Sequence, residues 1–165
     1  MKNNRYLRGG VLAAMGWLVC AAAFAGDLVR PNPSIAPVEV VAIQLMGLKN
    51  NDLVETDFGI RQTWSFAHPK NRNVTGPFPR FAQMLKGPGY SVLLNHKSHE
   101  IRNGSGASKG NTGNEARRQF DVFMETAKGD ILYFSWIVQK VATGQFKDCW
   151  MTISVSAPRP AGQSG

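Results

Sequence analysis

The sequence predicts an α+β domain in which three short helices precede a four-stranded antiparallel meander. Three observations predict it. Apolar residues between 36 and 94 recur at helical spacing, those after 94 alternate one in two, and the turn-like stretches "AKGD" and "VATGQ" separate the last three alternating runs. A run of helices followed by a run of strands belongs to the class in which helices cover one face of an antiparallel sheet.

The chain opens on an address rather than on fold. Lys2, Arg5 and Arg8 lead into the apolar run "GGVLAAMGWLVCAAAFA", which ends in Ala23-Phe24-Ala25, a small-x-small cleavage pattern. Residues 1–25 are therefore expected to be a signal peptide, and the mature protein to be periplasmic or secreted. The apolar run is shorter than the roughly 20 residues a membrane span requires, so no stable membrane anchor is expected. Val19 before Cys20 also lacks the small residue that lipid attachment wants. Residues 26–35 read as a flexible lead-in, 36–156 as a single α+β domain, and the Pro-, Gly- and Ser-rich residues 157–165 as a disordered tail.

Within the domain, Ser34 is a candidate N-cap, and Pro37 opens a helix whose stripe is Val38, Val41, Leu45 and Leu48 until "KNND" stops it. Asp57 is the expected cap of a second helix that runs through Ala67 and is closed by Pro69. A third helix fits "PFPRFAQMLKG", with Phe78, Phe81 and Leu85 on one side. The segments "HKSHEIRN", "ARRQFDVFMET", "DILYFSWIVQK" and "FKDCWMTISVS" then alternate as strands. One face of the sheet is expected to hold Phe120, Val122, Met124, Leu132, Phe134, Trp136, Val138, Cys149, Met151 and Ile153. The other collects Phe123, Ile131, Tyr133, Ile137 and Trp150, an apolar group that a lone soluble domain rarely leaves in water, and predicts a homodimer through that face.

Charge narrows the partners. Removing Lys2, Arg5 and Arg8 from 19 basic residues leaves 16 against 11 acidic ones, a net charge of +5 over 140 residues. The excess is spread along the chain, which with export argues against a nucleic-acid partner. Cys149 is left alone after cleavage and reads as a buried, inert thiol. His96, His99 and Glu100 contain metal-ligating types, but residues three apart on a strand point to opposite faces, and no zinc spacing matches, so no metal site is predicted. The stretch "NGSGASKGNTGN" at 103–114 lies between strands rather than before a helix, so it reads as a hairpin loop and not a phosphate cradle.

The stretch "GIRQTWSFAHPKNRNVTGPFPRFAQMLKGPGYSVLLNHKS" and the later "FKDCWMT" resemble the family known as domain of unknown function 4864. The matching positions are Phe66, Ala67, Pro69, Asn71, Thr75, Gly76, Pro77, Arg80, Phe81, Met84 and Tyr90, then Cys149, Trp150 and Met151, and the resemblance spans roughly residues 36 to 153. It implies a nuclear-transport-factor-2-like, or cystatin-like, cone, with helices laid on a curved antiparallel sheet around a pocket. It implies no activity.

These readings converge on an exported domain that binds a small molecule or a protein without catalysis and without a cofactor. Trp64, His68, Asn71, Arg72, Arg80 and His96 are the candidate ligand contacts, grouped around the helical cap of the cone. The alternative is an isomerase- or hydrolyase-like enzyme with a pocket carboxylate or histidine, drawn from Asp57, Asp121, His96 and His99. No catalytic set can be assigned from the sequence.

Overall fold

A computed structural model of the chain describes residues 26–104 and 116–162. Helices α1 (Pro37–Lys49), α2 (Phe58–Ser65), α3 (Pro69–Thr75) and α4 (Phe78–Lys86) and a 3-10 turn at Ser91–Leu93 come first. Strands β1 (Ser98–Asn103), β2 (Arg117–Glu125), β3 (Ile131–Lys140) and β4 (Trp150–Val155) follow as an antiparallel meander in chain order. A two-residue strand, β5 (Arg159–Pro160), extends the β4 edge by pairing with Leu132 and Tyr133 of β3. This is the helices-on-sheet α+β class that the periodicity predicts, and the sheet stays open rather than closing into a barrel.

Local chemistry explains each helix, not always as expected. In α1, Pro37 occupies the first turn, and Glu39 Oε2 accepts the Ala36 backbone N–H at 2.8 Å, so Ala36 rather than Ser34 is the cap. Its buried stripe is Val40, Val41, Gln44, Leu45 and Leu48, whereas Val38 is exposed. Asp57 precedes α2 in a left-handed conformation (φ 62°) with no side-chain cap bond. Its carboxylate instead receives Lys86 Nζ of α4 at 2.6 Å. Capping falls to buried Asn51, whose Oδ1 accepts the Ile60 N–H at 3.0 Å. Pro69, expected only to stop α2, also starts the additional helix α3, because a missing N–H costs nothing at a first helical position. Gly76 ends α3 at φ 82°, conformational ground that favours glycine.

The helices and the inner face of the sheet enclose one main core, with Leu45, Leu48, Ile60, Phe66, Met124, Phe134 and Trp136 almost wholly removed from water. Each such side chain contributes about 1.5–3 kcal/mol by burial. β4 departs from the predicted facing. Trp150 pairs with Lys140 and Thr152 with Val138, so both share the inner face with Trp136, and the register slips beside Ile137 and Val138. Cys149 and Met151 are buried in a separate cluster with Val141 and Phe146. The strand begins after Asp148, itself left-handed at φ 66°, and a one-residue offset reverses Trp150 to Thr152 until the bulge at Ile153 brings Val155, opposite Trp136, back to the inner face.

The chain ends are better tied than their composition suggests. Gln62 accepts the Val29 N–H at 2.8 Å and returns a bond to the Val29 carbonyl at 2.9 Å, pinning the expected lead-in to α2. Within the expected tail, β5 is paired and Ala161 N–H reaches the Ile131 carbonyl. The leader-like residues 1–25 and most of the 103–114 stretch lie outside the described residues. Among the described residues, no helix is long and apolar enough to cross a membrane.

Candidate functional site

The free edge of β4 is where sequence, fold and site meet. An edge strand presents unpaired backbone groups that must find partners. Here Thr152 N–H donates to the Phe66 carbonyl and His68 N–H to the Thr152 carbonyl, both at 2.8 Å. One turn on, Asn71 Nδ2 donates to the Ile153 carbonyl at 2.9 Å, and Tyr90 Oη donates to the Val155 carbonyl at 3.2 Å. The α2–α3 corner, α3 and the segment after α4 are thereby fastened over the edge.

Beneath that cover lies a cavity of about 190 Å³ between the helices and the sheet. Leu48, Ala67, Leu93 and Trp136 form its dry depth, and Val74, 75% exposed, and Ser154 mark its mouth. The deep end carries one closed polar network. Gln44 Nε2 donates to the Thr63 carbonyl at 3.0 Å, which fixes Gln44 Oε1 as an acceptor for Thr152 Oγ1 at 2.5 Å and Trp136 Nε1 at 3.2 Å. The Trp136 N–H also reaches Thr152 Oγ1 at 3.1 Å, so buried donors and acceptors are matched.

Among the described residues, no carboxylate, lysine, arginine, histidine or cysteine lines this cavity. Among the described residues that line it, the titratable side chain is Tyr90, whose hydroxyl is bonded to the Val155 carbonyl. A second, shallower depression beside β1 and β2 does carry charges, but they satisfy one another: Arg102 grips Glu100 through two nitrogens, and Lys97 and Ser98 meet Glu125.

Of the six expected ligand contacts, only Asn71 lines the cavity. Trp64 packs on Phe78 and Phe81 with ring centroids 6.4 and 5.0 Å away. Arg72 spends its guanidinium on the end of α2. Nε donates to the Ala67 carbonyl at 2.9 Å, and Nη2 donates to the Trp64 and Ser65 carbonyls at 2.9 and 3.0 Å. Its charge lies over the Trp64 ring, 5.0 Å from the centroid, and burial lowers its pKa. Buried His68 caps α3, its Nδ1 accepting the Lys70 N–H at 3.1 Å. Arg80 is exposed, its stem lying where any side chain at residue 76 would go.

His96 is buried away from the cavity and corrects the expectation that it and His99 point apart. Asn95, left-handed at φ 54°, turns the chain before β1 begins, so His96 lies off the strand. His96 Nε2 meets His99 Nδ1 at 2.7 Å, while His96 Nδ1 bonds the Leu93 carbonyl at 2.8 Å. A carbonyl only accepts, so His96 carries its proton on Nδ1, and His99 Nδ1 must donate to the His96 lone pair. Burial holds the pair neutral: it lowers His96, with Lys49 adding to it against the Leu93 bond, and with the charges of His96 and Lys49 it pushes His99 down to about 4. Among the described residues, no group of three or more ligating side chains could hold a metal ion.

Sequence reasoning missed Gln44, Thr63, Thr75, Tyr90 and Thr152. One signal was available: Gln44 interrupts the apolar stripe of α1, and a polar residue inside such a stripe marks a buried hydrogen-bond network. Compared with the models of known protein families, with curated proteins and with solved structures, the chain matches none.

Proposed function

We propose that the chain is an exported, non-catalytic binding domain that holds a small uncharged molecule between its helices and β4. The observation that carries this reading is a formed apolar cavity whose lining, among the described residues, bears no charged side chain. A charged guest would lose its hydration there and gain no counter-charge. The enzymatic alternative needs a proton donor or acceptor within reach of the guest. Asp57 is engaged by Lys86, Asp121 accepts the Tyr133 hydroxyl at 2.8 Å, and His96 and His99 bond each other; none of the four lines the cavity.

Export is part of the same proposal and rests on the leader pattern of residues 1–25. Membership of the cone-shaped family rests on the "TGPFPRFAQM" phrase and on the helices-on-sheet layout that such a cone requires. The test is native mass spectrometry of the protein purified from its own host, repeated with Met84→Trp, which fills the cavity from its lining. A small neutral molecule should accompany the wild-type protein and be absent from the variant. An equal load on both would place the ligand elsewhere and end the cavity reading.

A further inference from the structure

We infer that the guest of this cavity is a small neutral alcohol or phenol, a molecule with one six-membered ring or its aliphatic equivalent and at least one hydroxyl. The inference rests on the binding reading above and deepens it from the hydrogen-bond directions of the lining.

Every hydroxyl in the covered part of the cavity gives its proton to the protein. Thr63 Oγ1 donates to the Gly59 carbonyl at 2.9 Å, Thr75 Oγ1 to the Asn71 carbonyl at 3.0 Å, and Tyr90 Oη to the Val155 carbonyl at 3.2 Å. Thr152 Oγ1 donates to Gln44 Oε1, whose role as an acceptor is fixed by the bond Nε2 makes to Thr63. Carbonyl oxygens cannot return a proton, so these directions follow from geometry. The lining thus turns oxygen lone pairs toward a guest, and a lone pair rewards only a donor. Ser154 stands apart from this count because it is exposed at the mouth.

One donor complements them. Asn71 places one of its two amide protons on the Ile153 carbonyl at 2.9 Å and turns its Oδ1 to the Thr75 hydroxyl at 3.2 Å, which leaves the second amide proton for a guest. A guest hydroxyl can donate to a threonine or tyrosine oxygen and accept from Asn71 at once. An ether, ketone or hydrocarbon satisfies fewer of these groups, and a carboxylate meets several lone pairs and no positive charge. Size limits the guest independently. A cavity of about 150 Å³ admits benzene, so 190 Å³ admits a ring with a few further atoms, roughly seven to ten non-hydrogen atoms in all.

The experiment is calorimetric titration of the protein over residues 26–165 with four probes of one shape: 4-methylphenol, 4-methylanisole, toluene and 4-methylbenzoate. Hydration alone would favour toluene, the most apolar of them. The expected result is 4-methylphenol binding at least tenfold more tightly than toluene and 4-methylanisole, with no heat from 4-methylbenzoate. Thr75→Val and Tyr90→Phe each remove a lone pair, and at least one should narrow the phenol preference several-fold while toluene affinity is unchanged. Equal binding of toluene and 4-methylphenol to the wild-type protein would overturn the alcohol assignment and leave the cavity reading standing. Binding of none of the four would overturn both.

Discussion

At the scale of single residues, position relative to backbone ends decides what a polar side chain does. Arg72 carries the features of a ligand contact, a cation beside aromatics near a helical cap. Yet the end of α2 leaves carbonyls without intrahelical partners, and the guanidinium takes those of Trp64 and Ser65 together with the Ala67 carbonyl just beyond the helix. The histidine pair is the residue-scale feature with a measurable consequence. In the unfolded chain both rings titrate near 6.5, whereas in the fold His99 titrates near 4 and His96 is also lowered. Between those values the unfolded chain binds more protons, so stability is complete above about pH 6.5 and falls as pH drops toward 4. Because His99 is only half-buried, the discounted loss is on the order of 2 kcal/mol. Urea midpoints of the wild type at pH 7.5 and 4.5 should show it, and His99→Gln should flatten the profile across that interval. An equal slope in the variant would assign the acid sensitivity to other groups.

At the scale of elements, the sequence is read well where one local rule acts and poorly where two compete. The "AKGD" turn was legible because Gly129, at φ 95°, serves the hairpin between β2 and β3, and the period-two runs became β1 to β4. Helix α3 was not legible, since Pro69 satisfies both the rule that ends a helix and the rule that begins one. The inward turn of Trp150 was hidden for another reason. A register slip and a left-handed Asp148 leave no trace in apolar periodicity. The same limit concealed the cavity, whose lining joins residues as distant in the chain as Leu48 and Thr152. The crossing of α1 on α2 is the element contact most sensitive to a single atom. A Cβ on Gly59 would lie 2.0 Å from the Gly47 carbonyl oxygen and 3.0 Å from Asn51 Cα, all backbone, so the helices must separate to admit it. Gly59→Ala should therefore destabilise by about 3 kcal/mol or more, while Gly89→Ala, with nothing within 4 Å, should stay within about 0.5 kcal/mol of wild type. Equal denaturation midpoints for the two variants would show that the helices have slack at this crossing.

At the scale of the whole molecule, the two faces of the sheet are now unequal in a way that bears on self-association. The outer face keeps Phe123, Ile131, Tyr133 and Ile137 in register across β2 and β3, but Trp150, the expected centre of an interface, belongs to the inner face. Two of the four that remain are covered by this chain's own cations. The Arg102 guanidinium lies 4.5 Å from the Phe123 ring centroid and the Arg159 guanidinium 5.2 Å from that of Tyr133, while Ile131 is half exposed. Stacked arginines shelter apolar rings and keep their charge in water, so a second copy must displace or desolvate them before it gains area. Set against an association cost of at least about 4 kcal/mol, the four side chains favour only shallow pairing through this face. Sedimentation of the chain over residues 26–165 should give a monomer at about 10 μM and a reversible dimer only near 1 mM. Tyr133→Glu, which carries a charge into the centre of the patch and leaves the core untouched, should abolish that dimer without shifting the far-ultraviolet spectrum. A dimer that persists at 10 μM in both proteins would move the interface off this face altogether, most directly to the outer edge of β1, which α3 and Tyr90 do not fasten down.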